Sequence, residues 1–413
     1  MTPTLVSRRP IWPALLVLAV LVLLPLGRSS ELPLACAGVA ALVLLAQRRI
    51  DLRDSAPRLA LTLFACYWLP ALLSGFAAVE PGKTWSTVAV TLRFLPFALF
   101  AVWALRDSAT WSALTKAVAV IVAFWLLDAY VQMATGYSLG GAAEKERVSG
   151  IFGAGNLKLG PVLATLSPFV LLGARARFGL RGLAFAFLLL ATPILLAGSR
   201  AAWLAYAVVC VLIAWHETRN PRRFVAVLVA FAIGFGAIGA LAWHDSIRFD
   251  ARIERSLLAL HGTEGAVDEA SAGRLSIWRT ALAMSAAHPL TGVGVRGFRY
   301  AYPHYAATND RFVDTASDTG ASHAHQIVLE VLSETGIIGL VFWIAGVWLA
   351  LRGWWRADAA ARSRALAPGL GLVAMCFPIN THLAFYSAWW GLLFWWLLAL
   401  YCAALGARED TPN

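Results

Sequence analysis

Long runs of apolar residues, separated by short arginine-rich segments, extend over almost the whole chain. A helix that crosses the hydrocarbon core of a bilayer needs about 20 mostly apolar residues. The pattern therefore predicts an all-α polytopic membrane protein with about twelve transmembrane helices. The predicted spans are residues 10–27, 32–47, 58–78, 84–105, 110–133, 157–173, 180–197, 200–216, 224–243, 324–351, 365–381 and 384–405.

The boundary between the seventh and eighth spans is the least obvious one. Residues 181–215 form an apolar stretch that as one helix would extend about 51 Å, against a hydrocarbon core of about 30 Å. The only polar interruption in this stretch is Gly198-Ser199-Arg200. We therefore predict that the helix breaks at this tripeptide.

Composition supports the membrane class and limits the partners. Hydrophobic residues make up 60% of the chain and charged residues 14%, against about 45–50% and about 25% in soluble domains. The net charge of +11 comes from arginines in the loops between apolar runs, where they orient a membrane protein. We expect contact with membrane lipids and no nucleic-acid partner. The five cysteines lie inside apolar runs, so neither a disulfide framework nor a zinc site is predicted.

The arginine-rich loops all fall on one side of the predicted topology, which the positive-inside rule makes cytoplasmic. Both termini are then cytoplasmic, and the first apolar run is expected to be a retained helix. The predicted organisation is nine spans in residues 1–243, a large outer segment in 244–323, and spans ten to twelve with a cytoplasmic tail in 324–413. A second outer segment covers residues 134–156.

His325, at the start of the tenth span, is the most informative polar residue. An ionisable group at the membrane boundary is a functional candidate. On a continuous helix, Leu329, Leu332, Gly336 and Gly339 lie within about 40° of its azimuth. The pattern thus predicts an imidazole above a glycine stripe against which another helix packs closely. The alternative is a histidine that only marks the headgroup boundary.

Two arginines lie at the start of, or within, predicted membrane spans. Arg200 begins the eighth span, where a helix N-terminus attracts phosphate, although an arginine at a helix end also snorkels to the interface. Arg93 lies about nine residues into the fourth span, too deep to be stable without a partner. The sequence leaves open whether Arg93 forms an ion pair or contacts the substrate. Asp128, near the outer end of the fifth span, is a candidate partner for an ion pair.

The outer segment carries further candidates for anion binding. Residues 271–284, which include Arg274, predict an amphipathic helix that follows a serine cap and ends before Pro289. Its apolar face consists of Leu275, Trp278 and Leu282. A glycine-rich turn with Arg296 follows; no strand precedes it, so a dinucleotide site is rejected. Arg274 and Arg296 are predicted to bind phosphate through their planar guanidinium groups, the alternative being a solvated basic face.

Several of these motifs resemble the O-antigen ligase and O-antigen polymerase superfamily. The ligase signature is a histidine followed by Asn, Ser or Gln, nine residues, a glycine, two residues, and Gly, Thr or Tyr; His325, Gln326, Gly336 and Gly339 meet each term. The other similar segments are residues 271–278, 288–298 and 147–152, and the pair Arg200 and Leu204.

The resemblance implies a GT-C-like fold and an inverting transfer of O-antigen glycan from undecaprenyl pyrophosphate to a sugar hydroxyl of lipid A-core. The reaction is expected at the periplasmic face of the bacterial inner membrane. His325 would be the general base, while Arg200, Arg274, Arg296 and Arg147 would bind the donor pyrophosphate. No metal or other cofactor is then expected. Supporting or acceptor contacts are assigned to His323, Gln326, Arg93 and Asp128.

The acceptor distinguishes three related activities that the sequence leaves open. A polymerase of the same superfamily would extend the glycan on its lipid carrier, and a protein O-oligosaccharyltransferase would deliver it to a polypeptide. A transporter of lipid-linked glycans is an alternative from a different class. It should show internal repeats with broken helices in corresponding halves, and no such repeat is visible in the sequence.

Overall fold

The computed structural model describes residues 11–143, 147–218, 220–245, 262–378 and 384–406, and it is almost entirely helical there. The α-helices in these ranges are α1 Trp12–Val22, α2 Glu31–Ala46, α3 Ser55–Ser74, α4 Pro81–Thr91, α5 Phe94–Ala104, α6 Ser108–Thr135, α7 Leu159–Leu196, α8 Arg200–Thr218, α9 Pro221–Asp245, α10 Glu264–Ala270, α11 Arg274–Ala287, α12 Phe298–Tyr305, α13 Ile327–Arg356, α14 Ala359–Cys376 and α15 Ala388–Gly406. A small antiparallel hairpin pairs β1 (Tyr137–Ser138) with β2 (Gly141–Ala142).

Within the described ranges, eight helical segments are long and apolar enough to cross a membrane. They are Ser55–Ala77, Pro81–Ala104, Ser108–Thr135, Leu159–Leu196, Arg200–Thr218, Pro221–Ala240, Ile327–Arg356 and Ala388–Gly406. The all-α polytopic class is thereby confirmed, while the count of about twelve spans stays a prediction. Shorter helices α1, α2 and α14 cover the first, second and eleventh predicted spans. Residue 10 and residues 379–381 of those spans lie outside the described residues.

Helix α7 is a helical hairpin. Gly179 interrupts it with φ 68° and ψ −154°, values that an L-residue rarely adopts. A Cβ added to Gly160, near the start of α7, would lie 3.0 Å from the Cβ of Ala197 just beyond its end. The two halves therefore run antiparallel, in agreement with separate sixth and seventh spans. The predicted break at Gly198 is also present, since α7 ends at Leu196 and α8 begins at Arg200.

The predicted fourth span, 84–105, is divided at Leu92 and Arg93 into α4 and α5. Pro96 explains the division, because a proline has no N–H for the hydrogen bond that a continuous helix needs at that position. The break places Arg93 between two helices instead of in the middle of one.

Two hydrophobic cores organise the molecule. The larger lies between the membrane-length helices. The smaller belongs to the outer segment and consists of Ile277, Ala281, Met284, Val293, Phe298, Ala301, Tyr302, Ala321 and Ala324. Because Ala324 is the neighbour of His325 in sequence, the core of the outer segment reaches the candidate site. Residues 246–261 of the predicted outer segment lie outside the described residues.

Candidate active site

His325 lies two residues before α13, in a left-handed backbone conformation with φ 52°. Gln326 is the N-cap of α13, and its side chain accepts a hydrogen bond from the Leu329 N–H. The glycine stripe predicted beneath His325 is wrong, because α13 begins after His325 and is interrupted at Gly336. Gln326 supports the site by fixing where the helix starts.

His323 packs directly against His325. The two ring centroids are 3.9 Å apart, and the Oγ of Ser322 lies 2.9 Å from Nδ1 of the buried His323. His323 therefore restricts the orientation of the His325 ring. Within the part of the chain that the structure describes, no third His, Cys, Asp or Glu joins the pair in a group suited to a metal ion.

Helix α11 holds the histidine segment in place. The indole N–H of Trp278 donates to the carbonyl oxygen of Ala324 at 3.1 Å. The buried face of α11 consists of Ile277, Thr280, Ala281, Met284 and Ser285, whereas Leu282 of the predicted apolar face is 53% exposed. The predicted face is thus wrong in part. Helix α11 instead buries the face of Ile277, Ala281 and Met284, because these residues belong to the hydrophobic core of the outer segment.

Arg200 and Arg274 lie close together at the first turns of α8 and α11. Arg200 Nη1 donates to the carbonyl oxygen of Ala270, at the end of α10. Burial, with the nearby cation of Arg200 as a smaller cause, lowers the pKa of Arg274 to about 10. With this pKa, Arg274 stays charged at neutral pH. Two like charges held together in a partly buried place make a strong attraction for an anion.

Arg147 lies beside the turn between α7 and α8. The N–H of Val148 donates to the carbonyl oxygen of Leu196 at 3.3 Å, and Arg200 follows four residues later. The Gln132 side chain orders this segment by accepting hydrogen bonds from the Ser149 and Gly150 N–H groups at 2.8 and 2.7 Å. The segment that carries Arg147 therefore lies beside the turn that leads to Arg200.

Arg93 and Asp128 have separate partners, so the pairing suggested by the sequence is wrong. Arg93 Nη2 lies 2.7 Å from Glu31 Oε1 in α2. Asp128 Oδ1 accepts a hydrogen bond from the Leu139 N–H at 2.7 Å and so holds the hairpin β1–β2 against the end of α6. Glu31 lies just before the predicted second span, and only the packing of α2 on α5 brings it to Arg93.

The glycine-rich turn of residues 289–297 docks into the kink of α13. At Gly336 the backbone has φ 66° and ψ −166°, and the main chains form hydrogen bonds in place of the lost helical ones. These bonds run from Val293 N to Ser333 O (2.9 Å), from Gly294 N to Glu334 O (3.0 Å) and from Ile337 N to Pro289 O (2.8 Å). Gly336 thus admits a turn of the outer segment, and not a neighbouring helix as the sequence indicated.

This docked turn places Arg296 with two buried carboxyl groups. Glu330 and Glu334 lie one turn apart on α13 and are both 0% exposed. Glu334 accepts a hydrogen bond from the Arg296 N–H at 2.9 Å, and Glu330 accepts one from the Phe385 N–H at 2.7 Å. The charge of Arg296 acts on both carboxyls. Arg296 therefore lies in a different environment from Arg200 and Arg274.

Sequence reasoning did not single out Glu330 and Glu334. Glu330 Oε2, Glu334 Oε1 and Arg296 Nη1 are buried and have no hydrogen-bond partner among the described residues. The signal was present, because two acidic residues four apart share one face of a membrane-length helix, where ionisable groups are costly and usually functional. The cluster links α13, the glycine-rich turn and the segment before α15, and so fixes the start of α13.

Gly336→Ala is expected to destabilise the protein. The conformation at Gly336 is almost confined to glycine and costs other residues about 1–3 kcal/mol, and an added Cβ would lie 2.2 Å from the carbonyl oxygen of Leu290. The measurement is the thermal unfolding midpoint in detergent. Gly346→Ala in the same helix is the matched control, since its Cβ would make an ordinary 3.4 Å contact with Cys66. Equal midpoints for the two variants would contradict the prediction.

One stretch of the chain is similar to a known protein family. Residues 184–344 match the sequence family described as O-antigen ligase. No curated protein matches the chain. The matched stretch includes Arg200, Arg274, Arg296 and His325, whereas Arg147 lies outside it. The match confirms the resemblance to O-antigen ligases that is seen in the motifs.

Proposed function

We propose, from the match of residues 184–344 to O-antigen ligases, that this membrane protein transfers an O-antigen glycan from undecaprenyl pyrophosphate to a sugar hydroxyl of lipid A-core. The observation that carries the proposal is the hydrogen bond from Trp278 to Ala324, which holds the His325 segment against α11. The first residue of this helix, Arg274, lies close to Arg200. A base and a pair of cations are the groups that this displacement requires.

In the proposed reaction, the acceptor hydroxyl attacks the anomeric carbon of the glycan from the side opposite the pyrophosphate. The new bond joins the acceptor oxygen to that carbon while the bond from the carbon to the pyrophosphate oxygen breaks, so the anomeric configuration inverts. The hydroxyl proton passes to His325, and undecaprenyl pyrophosphate leaves with the bonding electrons. The position of His325 on a short segment held by Gln326 and Trp278 suits a base that must keep its orientation.

Arg200 and Arg274 are proposed to bind the pyrophosphate, with Arg147 beside them. Guanidinium groups form paired hydrogen bonds to phosphate oxygens and stabilise the charge that grows on the leaving group. The start of α8 also favours a phosphate, because the positive end of a helix dipole lies there. Arg296 is proposed to act through the buried Glu330 and Glu334, by holding the turn and the helix start in place.

The proposal includes an orientation of the protein in the membrane. His325 and the outer segment are proposed to face the periplasm, in a GT-C-like arrangement of about twelve spans in the inner membrane. The arginine-rich loops at the opposite helix ends, which the positive-inside rule assigns to the cytoplasm, support this orientation. Labelling of a single introduced cysteine at the exposed Arg299 of α12 by an impermeant reagent in intact spheroplasts tests it, and protection of that cysteine would contradict it.

Transfer is expected to survive removal of divalent cations, since the arginines supply the positive charge that a metal ion provides in many sugar transferases. The measurement is the rate of transfer by purified protein with and without EDTA. Added Mg²⁺ or Mn²⁺ provides the control. Loss of activity in EDTA that either ion restores would contradict the prediction.

The acceptor is tested directly. Purified protein is incubated with undecaprenyl-pyrophosphate-linked glycan and, in separate reactions, with rough lipopolysaccharide core, with further lipid-linked glycan and with a serine-rich peptide. We expect only the lipopolysaccharide core to gain the mass of the glycan. Growth of the lipid-linked glycan would instead identify a polymerase, and a heavier peptide would identify a protein O-oligosaccharyltransferase. Movement of the glycan across proteoliposomes without transfer would identify a transporter.

A further inference from the structure

We infer that a basic cleft at the opposite ends of α3 and α13 from His325 binds the phosphodiester head group of an anionic phospholipid. The cleft has a volume of about 460 Å³ and lies between the start of α3, the end of α13 and the end of α15. Arg58, Arg352 and Arg356 line it, together with the hydroxyls of Ser55 and Thr62. Guanidinium groups are the donors that suit phosphodiester oxygens, whereas the Thr62 hydroxyl already donates to the carbonyl oxygen of Arg58.

The position of the cleft is that of a lipid head group. Ser55 begins one membrane-length segment, while Arg356 and Gly406 end two others. The guanidinium of Arg352 lies over the Trp348 ring, 5.1 Å from its centroid, and Trp355 is 63% exposed. Tryptophans of this kind collect at the boundary between hydrocarbon and water. The cleft therefore opens at the level where phosphates of the bilayer lie.

The cleft combines a charged mouth with an apolar side. Leu59, Leu349 and Leu405 line it below the arginines, where acyl chains of a lipid would run. Gly353 and Gly406 let the three helix ends approach closely around the cleft, since a Cβ on Gly353 would lie 3.3 Å from Leu59 and Leu405. A free phosphate would use the arginines alone, whereas a phospholipid would use both parts of the cleft.

Charge balance favours an anionic ligand here. Among the described residues, no ion pair joins Arg58, Arg352 or Arg356 to a carboxylate, and no acidic side chain lines the cleft. A second cleft of about 460 Å³, at the start of α1 and the end of α5, has two arginines but also Asp107 in its wall. Of these two clefts, only the one lined by Arg58, Arg352 and Arg356 carries three positive charges without an acidic side chain in its wall. Basic pockets between transmembrane helices are a known setting for anionic lipid head groups.

The cleft is distinct from the candidate active site. Helix α3 has 20 residues and so spans about 30 Å; it runs from Ser55 in the cleft to Ser74, whose hydroxyl accepts a hydrogen bond from the Val295 N–H in the glycine-rich turn. The two sites lie at opposite ends of this helix. The inference thus stands on the membrane-length helices and the cleft, and does not depend on the proposed transfer reaction.

The test is native mass spectrometry of the purified, delipidated full-length protein with cardiolipin, phosphatidylglycerol or phosphatidylethanolamine. We expect cardiolipin and phosphatidylglycerol to bind more tightly than phosphatidylethanolamine. A basic residue near the membrane surface contributes roughly fivefold in affinity, so Arg58→Gln/Arg352→Gln/Arg356→Gln should weaken cardiolipin binding by roughly 100-fold. The matched control is Arg181→Gln/Arg222→Gln/Arg223→Gln, which removes three exposed arginines of other loops and should leave binding unchanged.

Further arms separate the alternatives. Each single Arg→Gln variant should lose roughly fivefold in affinity, which keeps the test decisive even if the triple variant does not fold. Inorganic phosphate at millimolar concentration should not displace cardiolipin. Equal losses in the cleft and control triples would reduce the effect to a general basic surface and overturn the inference. Equal binding of phosphatidylethanolamine, or displacement by phosphate, would overturn it as well.

Discussion

His325→Ala is expected to lower the rate of glycan transfer by about 10²–10⁴-fold, the usual contribution of a general base. The protein should still reach the membrane, because the half-buried His325 lies outside the apolar core and before the helix. The measurement is turnover of purified protein with lipid-linked glycan and lipopolysaccharide core. His304→Ala, at an exposed histidine in α12, is the matched control and should keep wild-type turnover.

Backbone strain must be separated from loss of the base. His325 has a positive φ, and asparagine tolerates that conformation better than alanine does. His325→Asn should therefore fold with the wild-type midpoint and lose as much activity as His325→Ala. Near wild-type turnover in His325→Asn would show that His325 has a structural role only.

Arg200→Ala and Arg274→Ala should each weaken binding of undecaprenyl pyrophosphate by roughly 10–100-fold, the value of a hydrogen bond to a charged group. Lysine should be a poor substitute at both positions, because it keeps the charge but loses the planar fork that binds two phosphate oxygens. Binding is measured with purified variants. Arg279→Lys, at an exposed position of α11, is the matched control and should bind the donor normally.

Arg296 provides a contrast within the same experiment. Its removal leaves Glu330 and Glu334 buried without their nearby cation, and loss of a cation beside buried carboxyls destabilises the fold. We therefore expect the main effect of Arg296→Ala to be a lower unfolding midpoint. The main effect of Arg274→Ala should be weaker donor binding. Unchanged donor affinity in both Arg200→Ala and Arg274→Ala would show that these arginines only form a solvated basic face. His325 would then be the only one of these residues with a role in the reaction.

Hydropathy alone predicted much of the architecture. The break at Gly198 and the separation of the sixth and seventh spans follow from the fixed thickness of a bilayer, which limits the length of any apolar helix. The motif around His325 predicted the family, and the matched residues 184–344 agree with it. Local signals of this kind depend on neighbouring residues in sequence, so they can be read without the fold.

Partners distant in sequence required the tertiary structure. Arg93 pairs with Glu31 across 62 residues, and Arg296 meets Glu330 and Glu334 only because the glycine-rich turn docks at Gly336. Helical periodicity misplaced the residues around His325, since it assumes an unbroken helix, and the kink exists only through hydrogen bonds to another segment. The sequence by itself thus determined the membrane class and predicted the resemblance to O-antigen ligases, the candidate base and the arginines. The tertiary structure decided which arginines lie together and which one lies beside buried carboxyls, because both depend on long-range packing.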